Sequence, residues 1–166
     1  TKASEFVNPF NRIRLHQNAP FEGWLPVMVE GKWFAQGADI TVPLQIREAV
    51  FARGEDALDA QAQQVVVYRE GTPVGTARLW WQDGAFRLGD VGVLAQERKQ
   101  GYGDLLVRLL LYKAVTHDAQ RVALTCAQTL QPFFARYGFQ PVEGAQPGEM
   151  ALCPQEQCQG CGHCGG

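Results

Sequence analysis

Two clusters in this chain combine residue types and spacings that could do chemistry. The first is Arg98-Lys99-Gln100-Gly101-Tyr102-Gly103, between an apolar run ending at Leu94 and a Leu-rich segment that begins at Asp104. If that segment opens a helix, its first N–H groups lack intrahelical acceptors and carry partial positive charge, which suits a phosphate. Gly101 and Gly103 lack the Cβ atoms that would hold a pyrophosphate away from those N–H groups. Arg98 and Lys99 add charge beside them. The bare pattern R-x-x-G-x-G also occurs in ordinary turns, so its flanks decide its meaning. A Walker A loop needs Gly, four residues and then Gly-Lys-Ser/Thr, and a dinucleotide fingerprint needs three glycines and a later acid; the chain has neither.

The second cluster is Cys153-x4-Cys158-x2-Cys161-x2-Cys164, with His163 inside it. Four soft ligands are enough for tetrahedral zinc. Their spacing lacks the longer loop that separates ligand pairs in zinc knuckles, and Gly165-Gly166 stand where a ferredoxin-type run would continue to Cys-Pro. A flexible Gly-rich tail whose thiols take up metal opportunistically is the competing reading. The remaining cysteine, Cys126, lies in the apolar run Val122-Ala123-Leu124-Thr125 and reads as a packed thiol rather than a nucleophile. Glu48 and Asp90 are the nearest candidate bases, with solvated surface charge as the plainer reading of each. His16 and His117 read as structural or exposed.

The elements that must position the first cluster follow from periodicity. Residues 5–40 mix Trp24, Trp33 and Phe34 with turn pairs and resist assignment. Leu44, Ile46, Val50 and Phe51 predict a helix over 42–51, with Thr41 available as N-cap before Pro43. Gly54 to Asp59 reads as a solvated acidic loop. Strands are expected at Val65–Arg69, Val74–Trp81 and Ala85–Leu94, and their short connections imply an antiparallel meander. Gly89 and Gly92 interrupt the third, as where a strand bulges or another group approaches closely. Of the adjacent Trp80 and Trp81, one should face the core and the other solvent or a partner. Gly103–His117 is apolar enough for a core helix. Arg121–Ala127 then reads as a strand, Thr129–Tyr137 as a short helix, and Gly138 as its stop.

With those flanks in place, Arg98, Gly101 and Gly103 after Val91-Gly92-Val93-Leu94 resemble the R/Q-x-x-G-x-G/A signature of the GCN5-related N-acetyltransferase (GNAT) family. Ala127-Gln128-Thr129 through Pro132-Phe133-Phe134-Ala135-Arg136-Tyr137-Gly138-Phe139 is similar to that family's A-Q-x-x-x-x-F-Y-x-x-x-G-F segment. Ile46-Arg47-Glu48-Ala49-Val50-Phe51 is similar to the R-x-x-V-F of a small, mostly uncharacterised bacterial subgroup. The resemblance spans roughly residues 40–143.

It implies an α/β (α+β) fold: a mixed, mostly antiparallel central sheet flanked by helices, with a bulged strand before the CoA-binding turn. It also implies acetyl-CoA as co-substrate. The pantetheine arm would pair with the backbone near Val91 and Val93, and the pyrophosphate would meet N–H groups from Arg98 to Asp104, including Lys99, Gln100, Gly101, Tyr102 and Gly103. Gln128, Phe133 and Phe134 would flank the far side of the cofactor. The acceptor amine would enter near Arg47 to Phe51. The family's usual thiolate acid is the Tyr of F-Y, and Phe134 stands there with no proton to give. Tyr137 and water are the alternatives. The subgroup's acid one strand position before Asp90 is Gly89 here, and alternation of faces keeps Asp90 from simply replacing it.

The bulk properties set the frame. The chain has 166 residues and 46% hydrophobic content, which suits one domain over 1–152 with a Cys-rich tail at 153–166. A net charge of -2 without basic runs argues against nucleic acid and membrane surfaces as partners. Thr1 to Phe10 shows neither a leader pattern nor a bilayer span, and a cytoplasmic location is expected. Three function classes stay open. They are acyl transfer to an amine of a small molecule or peptide, a non-catalytic acyl-CoA-binding regulatory module, and an interaction protein whose metal-binding tail is primary.

Overall fold

A computed structural model describes residues 12–15 and 27–154. The strands are β1 (Arg12–Leu15), β2 (Val27–Phe34), β3 (Gln63–Arg69), β4 (Thr72–Gln82), β5 (Ala85–Val93), β6 (Val122–Thr125), β7 (Gln140–Pro141) and β8 (Glu149–Leu152). The helices are α1 (Thr41–Phe51), α2 (Tyr102–Thr116) and α3 (Gln131–Ala135). Among the described residues the strands are ordered β1-β2-β3-β4-β5-β6-β8-β7. The β1–β2, β2–β3, β6–β8 and β7–β8 pairs are antiparallel, and β5–β6 is parallel. The expected mixed, mostly antiparallel sheet with flanking helices is therefore present. The described residues divide into two compact units, one of residues up to 78 together with 90–110, the other of residues 79–89 together with those from 111 onward.

In the first unit the meander forms as its turns dictate. Glu70 and Gly71 both take positive φ (50° and 81°), as a two-residue hairpin turn with the twist of its strands requires. Strand β2 buries Val29, Gly31 and Trp33 and leaves Met28, Glu30 and Lys32 half-buried, the period of a strand with one face on a core. Strand β3 is buried on both faces through Gln64, Val65, Val66 and Val67. Helix α1 packs Ile46 against Phe34 and Val66, with Ile40, Val42, Val50 and Leu94 around them. Its expected N-cap is corrected: Thr41 lies inside the first turn, and Asp39 Oδ1 accepts from the Thr41 N–H (2.9 Å) and hydroxyl (2.6 Å). Asp before a helix start does what Thr41 was expected to do.

The acidic stretch from Gly54 to Asp59 is also corrected. Gly54 to Ala57 are exposed as expected, but Ala57–Ala60 forms a 3₁₀ turn with Asp56 and Asp59 as a capping box, and Asp59 is only 5% exposed. A buried carboxylate needs a cation, and the chain supplies two arginines there.

In the second unit, Asp83 and Gly84 repeat the positive-φ pair (54° and 77°) that joins β4 to β5. Trp80 is buried with its indole N–H on Gln82 Oε1 (2.9 Å), whereas Trp81 is 53% exposed and meets Phe86 edge-on. Strand β8 has no counterpart in the sequence reading. Met150, Ala151 and Leu152 are nonetheless buried and pair with Leu124, Ala123 and Val122. The N–H of Cys126 donates to the Gly148 carbonyl (3.0 Å), and a Cβ at Gly148 would lie 2.2 Å from the Cys126 carbonyl oxygen.

Candidate functional site

The candidate site begins where β5 changes direction. Asp90 takes a left-handed backbone (φ 51°) inside the strand, a conformation that disfavours a residue with a side chain by about 1–2 kcal/mol. The irregularity inferred from Gly89 and Gly92 therefore falls on Asp90, directly after Gly89. The two glycines serve sterics instead. A Cβ at Gly89 would stand 3.0 Å from the Trp80 ring, and one at Gly92 would stand 2.8 Å from the Phe51 ring. Aromatic rings approach the strand closely there. Beyond the bulge, the Leu94 N–H donates to Val74 of β4 (2.9 Å). Strand alternation then turns the N–H and C=O of Val93 to the opposite edge, where Arg98 Nε reaches the Val93 carbonyl (3.3 Å).

The turn follows directly. Ala95–Glu97 forms a 3₁₀ turn, Arg98 is extended, and Lys99 and Gly101 both adopt left-handed φ (65° and 89°). Turns of this kind aim successive N–H groups into a concavity suited to an anion. Arg98, Lys99, Gln100 and Gly101 are exposed, and a Cβ added at Gly101 would meet open space. The first α2 ladder bond runs from Leu105 N–H to the Gly101 carbonyl (3.0 Å), so the N–H groups of Tyr102, Gly103 and Asp104 precede the ladder. Tyr102 is buried, and that burial raises its phenol pKa, so it offers the turn its backbone rather than its hydroxyl. Asp104 accepts from Arg108 Nε (2.9 Å). Behind the turn, Leu105, Leu106, Val107, Leu109 and Leu110 are buried and seat the helix in the core.

The structure thus brings Val91, Val93 and Arg98 to Asp104 into one continuous stretch of the first unit. Gln128, Phe133 and Phe134 lie in the second unit. Gln128 is exposed at the start of a 3₁₀ turn, Gln128–Leu130. Phe133 is half-buried, and Phe134, 6% exposed, packs edge-on against Phe133 (5.1 Å) and Phe139 (6.1 Å). Tyr137 meets Phe133 edge-on (5.6 Å), and the Arg136 guanidinium lies 5.9 Å from its ring. Phe134 is interior packing. Cys126 sits 3.8 Å from Met150 Sδ with its thiol pKa raised by burial, as a packed thiol should be. His117 is exposed beyond the C-terminus of α2, its Nδ1 3.0 Å from the Lys113 carbonyl. His16 lies outside the described residues.

One cluster escaped the sequence reading altogether. In the first unit Arg47, 1% exposed, forms two hydrogen bonds to Asp59 (2.8 and 2.9 Å) and one to Gln64 Oε1 (3.1 Å). Arg78 binds Asp56 (2.7 and 2.9 Å), Asp59 (3.1 Å) and Asp90 (2.9 Å). Asp90 also faces Arg47 Nε (3.8 Å) and is paired with Arg53. Burial alone would raise the Asp59 pKa. Hydrogen bonds from Arg47 and the Asp56 N–H, with the charges of Arg47 and Arg78, outweigh it and hold the carboxyl below the usual range. Hydrogen bonding from Arg78 lowers Asp56 in the same way. Asp90 is accordingly no solvated surface charge, and its oxygens face guanidinium groups. Glu48 is exposed, as the plainer reading had it. The missed signal was Arg78 itself, a guanidinium inside the apolar run Ala77-Arg78-Leu79-Trp80, which demands buried acids.

Among the described residues no group of His, Cys, Asp and Glu could hold a metal, and no helix is long and apolar enough to cross a membrane. Cys153, expected among the zinc ligands, is buried and disulfide-bonded. Cys158, Cys161 and Cys164 lie outside the described residues.

Known proteins are similar to this chain in sequence and in fold. The sequence profile of the acetyltransferase (GNAT) family matches residues 32–139. An uncharacterized N-acetyltransferase, YjcF, from Bacillus subtilis is 28% identical over 102 residues, covering 57% of this chain and 73% of that protein. Crystal structures of Escherichia coli ElaA (TM-score 0.64, 24% identity, 75% of this chain and 99% of that one) and of an acyl-CoA N-acyltransferase from Pseudomonas aeruginosa (0.63, 24%, 74% and 97%) share the fold. So does a GNAT acetyltransferase from Brucella melitensis solved in complex with acetyl-CoA (0.59, 19%, 75% and 87%). With the family profile spanning the bulged strand, the glycine turn and α2, the chain belongs to the GNAT family of acetyltransferases.

Proposed function

We propose that this chain transfers an acetyl group from acetyl-CoA to a primary amine of a small molecule or peptide, and that the turn from Arg98 to Asp104 binds the CoA pyrophosphate. The observation that carries this reading is the turn itself: left-handed Lys99 and Gly101, exposed Arg98 and Lys99, and the N–H groups of Tyr102, Gly103 and Asp104 ahead of the first helical hydrogen bond. Donor geometry and charge both fit a diphosphate. Acetyl-CoA would supply a thioester that the acceptor amine attacks directly.

The chain's own residues then have limited tasks. The edge of β5 at Val91 and Val93 orients the pantetheine arm, and the Val93 N–H, turned away from β4, supports negative charge on the thioester oxygen. Phe134 has no acidic proton and is buried among Phe133 and Phe139, so as the C–S bond breaks the departing thiolate takes its proton from water, and water accepts the proton that the amine nitrogen loses. Asp90 is held by guanidinium groups, which leaves no carboxylate of the bulge to act as base. The same Phe134 favours a second reading, acyl-CoA binding without turnover.

The two readings separate in one assay. Purified protein is incubated with acetyl-CoA and a panel of amines while free thiol is followed. Thiol release that depends on both protein and amine supports transfer. Acetyl-CoA binding with no release across a broad panel supports the binding module instead.

A further inference from the structure

The cluster around Asp90 has no part in the chemistry above, yet it grips the strand that chemistry depends on. We infer that Asp90 is a positioning residue: held by Arg78, Arg47 and Arg53, it fixes the β5 bulge and with it the direction of the Val91–Val93 backbone. The inference rests on the proposed acetyl-CoA site.

Three observations carry it. First, the left-handed position of the bulge (φ 51°) is filled by Asp90, although Gly89 and Gly92 stand within two residues of it. Glycine would adopt this backbone more readily, so here the carboxylate's contacts must offset the strain. Second, those contacts come from three directions: Arg78 on β4 (2.9 Å), Arg47 on α1 (3.8 Å), and Arg53 just beyond α1. Arg47 and Arg78 are in turn locked by Asp59, Asp56 and Gln64, so the anchor does not swing. Third, the bulge has little room to relax. A Cβ at Gly92 would meet the Phe51 ring at 2.8 Å and Val50 at 3.1 Å, and one at Gly75 would meet the Gly92 carbonyl oxygen at 3.1 Å. Side chains of α1 thus leave no room for a side chain at Gly92, while Arg47 of α1, Arg53 beyond it and Arg78 of β4 hold the strand at Asp90. The backbone between the clamp and the pyrophosphate turn is Val91 to Glu97.

A clamp on the strand should affect the acetyl-pantetheine end of the cofactor and spare the phosphate end. Asp90→Asn keeps the shape and tolerates the left-handed backbone but removes the charge. Calorimetric titrations would compare acetyl-CoA with 3′-phospho-ADP, which carries the pyrophosphate without the arm. For Asp90→Asn the affinity for acetyl-CoA should fall about tenfold while that for 3′-phospho-ADP stays within about twofold of wild type. Unchanged affinity for both probes would overturn the inference, and so would an equal loss of both, which marks a general structural role. If Asp90→Asn does not fold, Arg53→Gln decides, because Arg53 is 49% exposed and its loss buries no orphan charge. A selective loss of acetyl-CoA affinity of about threefold supports the clamp, and no selective loss overturns it. Wild-type protein that binds neither probe would instead defeat the acetyl-CoA site itself, a failure distinct from either of these.

Discussion

Around Asp59 in the first unit, buried order is built from charge: Arg47, Arg78, Asp56 and Asp90 meet within hydrogen-bonding or ion-pairing distance. Around Phe134 in the second unit, it is built from rings: Phe133, Phe139 and Tyr137 meet edge-to-face. Charged groups have few acceptable arrangements, because each desolvated ion must find its partner. Rings repack at modest cost and tolerate approximate geometry. The stiffer solution stands beside the strand and turn assigned to the cofactor, and the more forgiving one stands where the family resemblance places a catalytic Tyr that this chain lacks. Directional rigidity is thus concentrated where a backbone must be aimed.

The largest effect should come from breaking the charged region. Asp59→Ala leaves Arg47 and Arg78 without a buried counter-ion, and urea denaturation at neutral pH should show a loss of about 3–5 kcal/mol. The same residue gives the comparison a pH signature. Because the folded state holds Asp59 below its ordinary value, its contribution is fully present above about pH 4 and is lost as pH falls through the folded value. Wild type should therefore lose stability in acid more steeply than Asp59→Ala. Parallel acid profiles would show that charge does not organise this region.

A smaller effect sharpens the other side. Phe134→Tyr restores the family's residue but puts a hydroxyl among packed rings, so stability should fall by about 1 kcal/mol with no gain in thiol release. A faster reaction would mean that Phe134 stands where a proton donor is useful, and the contrast between the regions would lose its functional meaning.

The parts of the molecule that the sequence made legible share a physical property, namely that their signals are local. Asp83-Gly84 and Glu70-Gly71 announce hairpins because few residues take positive φ in succession, and the Leu-rich run after Gly103 can only be a buried helix. The glycine turn was readable because both its flanks were. What stayed hidden depends on contacts distant in sequence. Asp59 looked solvated because Arg47 and Arg78, 12 and 19 residues away, are what neutralise it. Asp90 looked like a surface acid for the same reason. The β8 strand, four residues after a turn, has little pattern of its own and is defined by pairing with β6. The acceptor side near Arg47 to Phe51 was expected to line a substrate path, and there Arg47 proves to be committed to the buried cluster.

The proposed seat of the CoA pyrophosphate in the Arg98–Asp104 turn can be challenged by titrating acetyl-CoA into wild type and into Gly101→Val/Gly103→Val protein. Wild type should bind, and the variant should show no binding while still unfolding cooperatively. A cooperatively folded variant that binds acetyl-CoA as tightly as wild type would show that the pyrophosphate lies elsewhere.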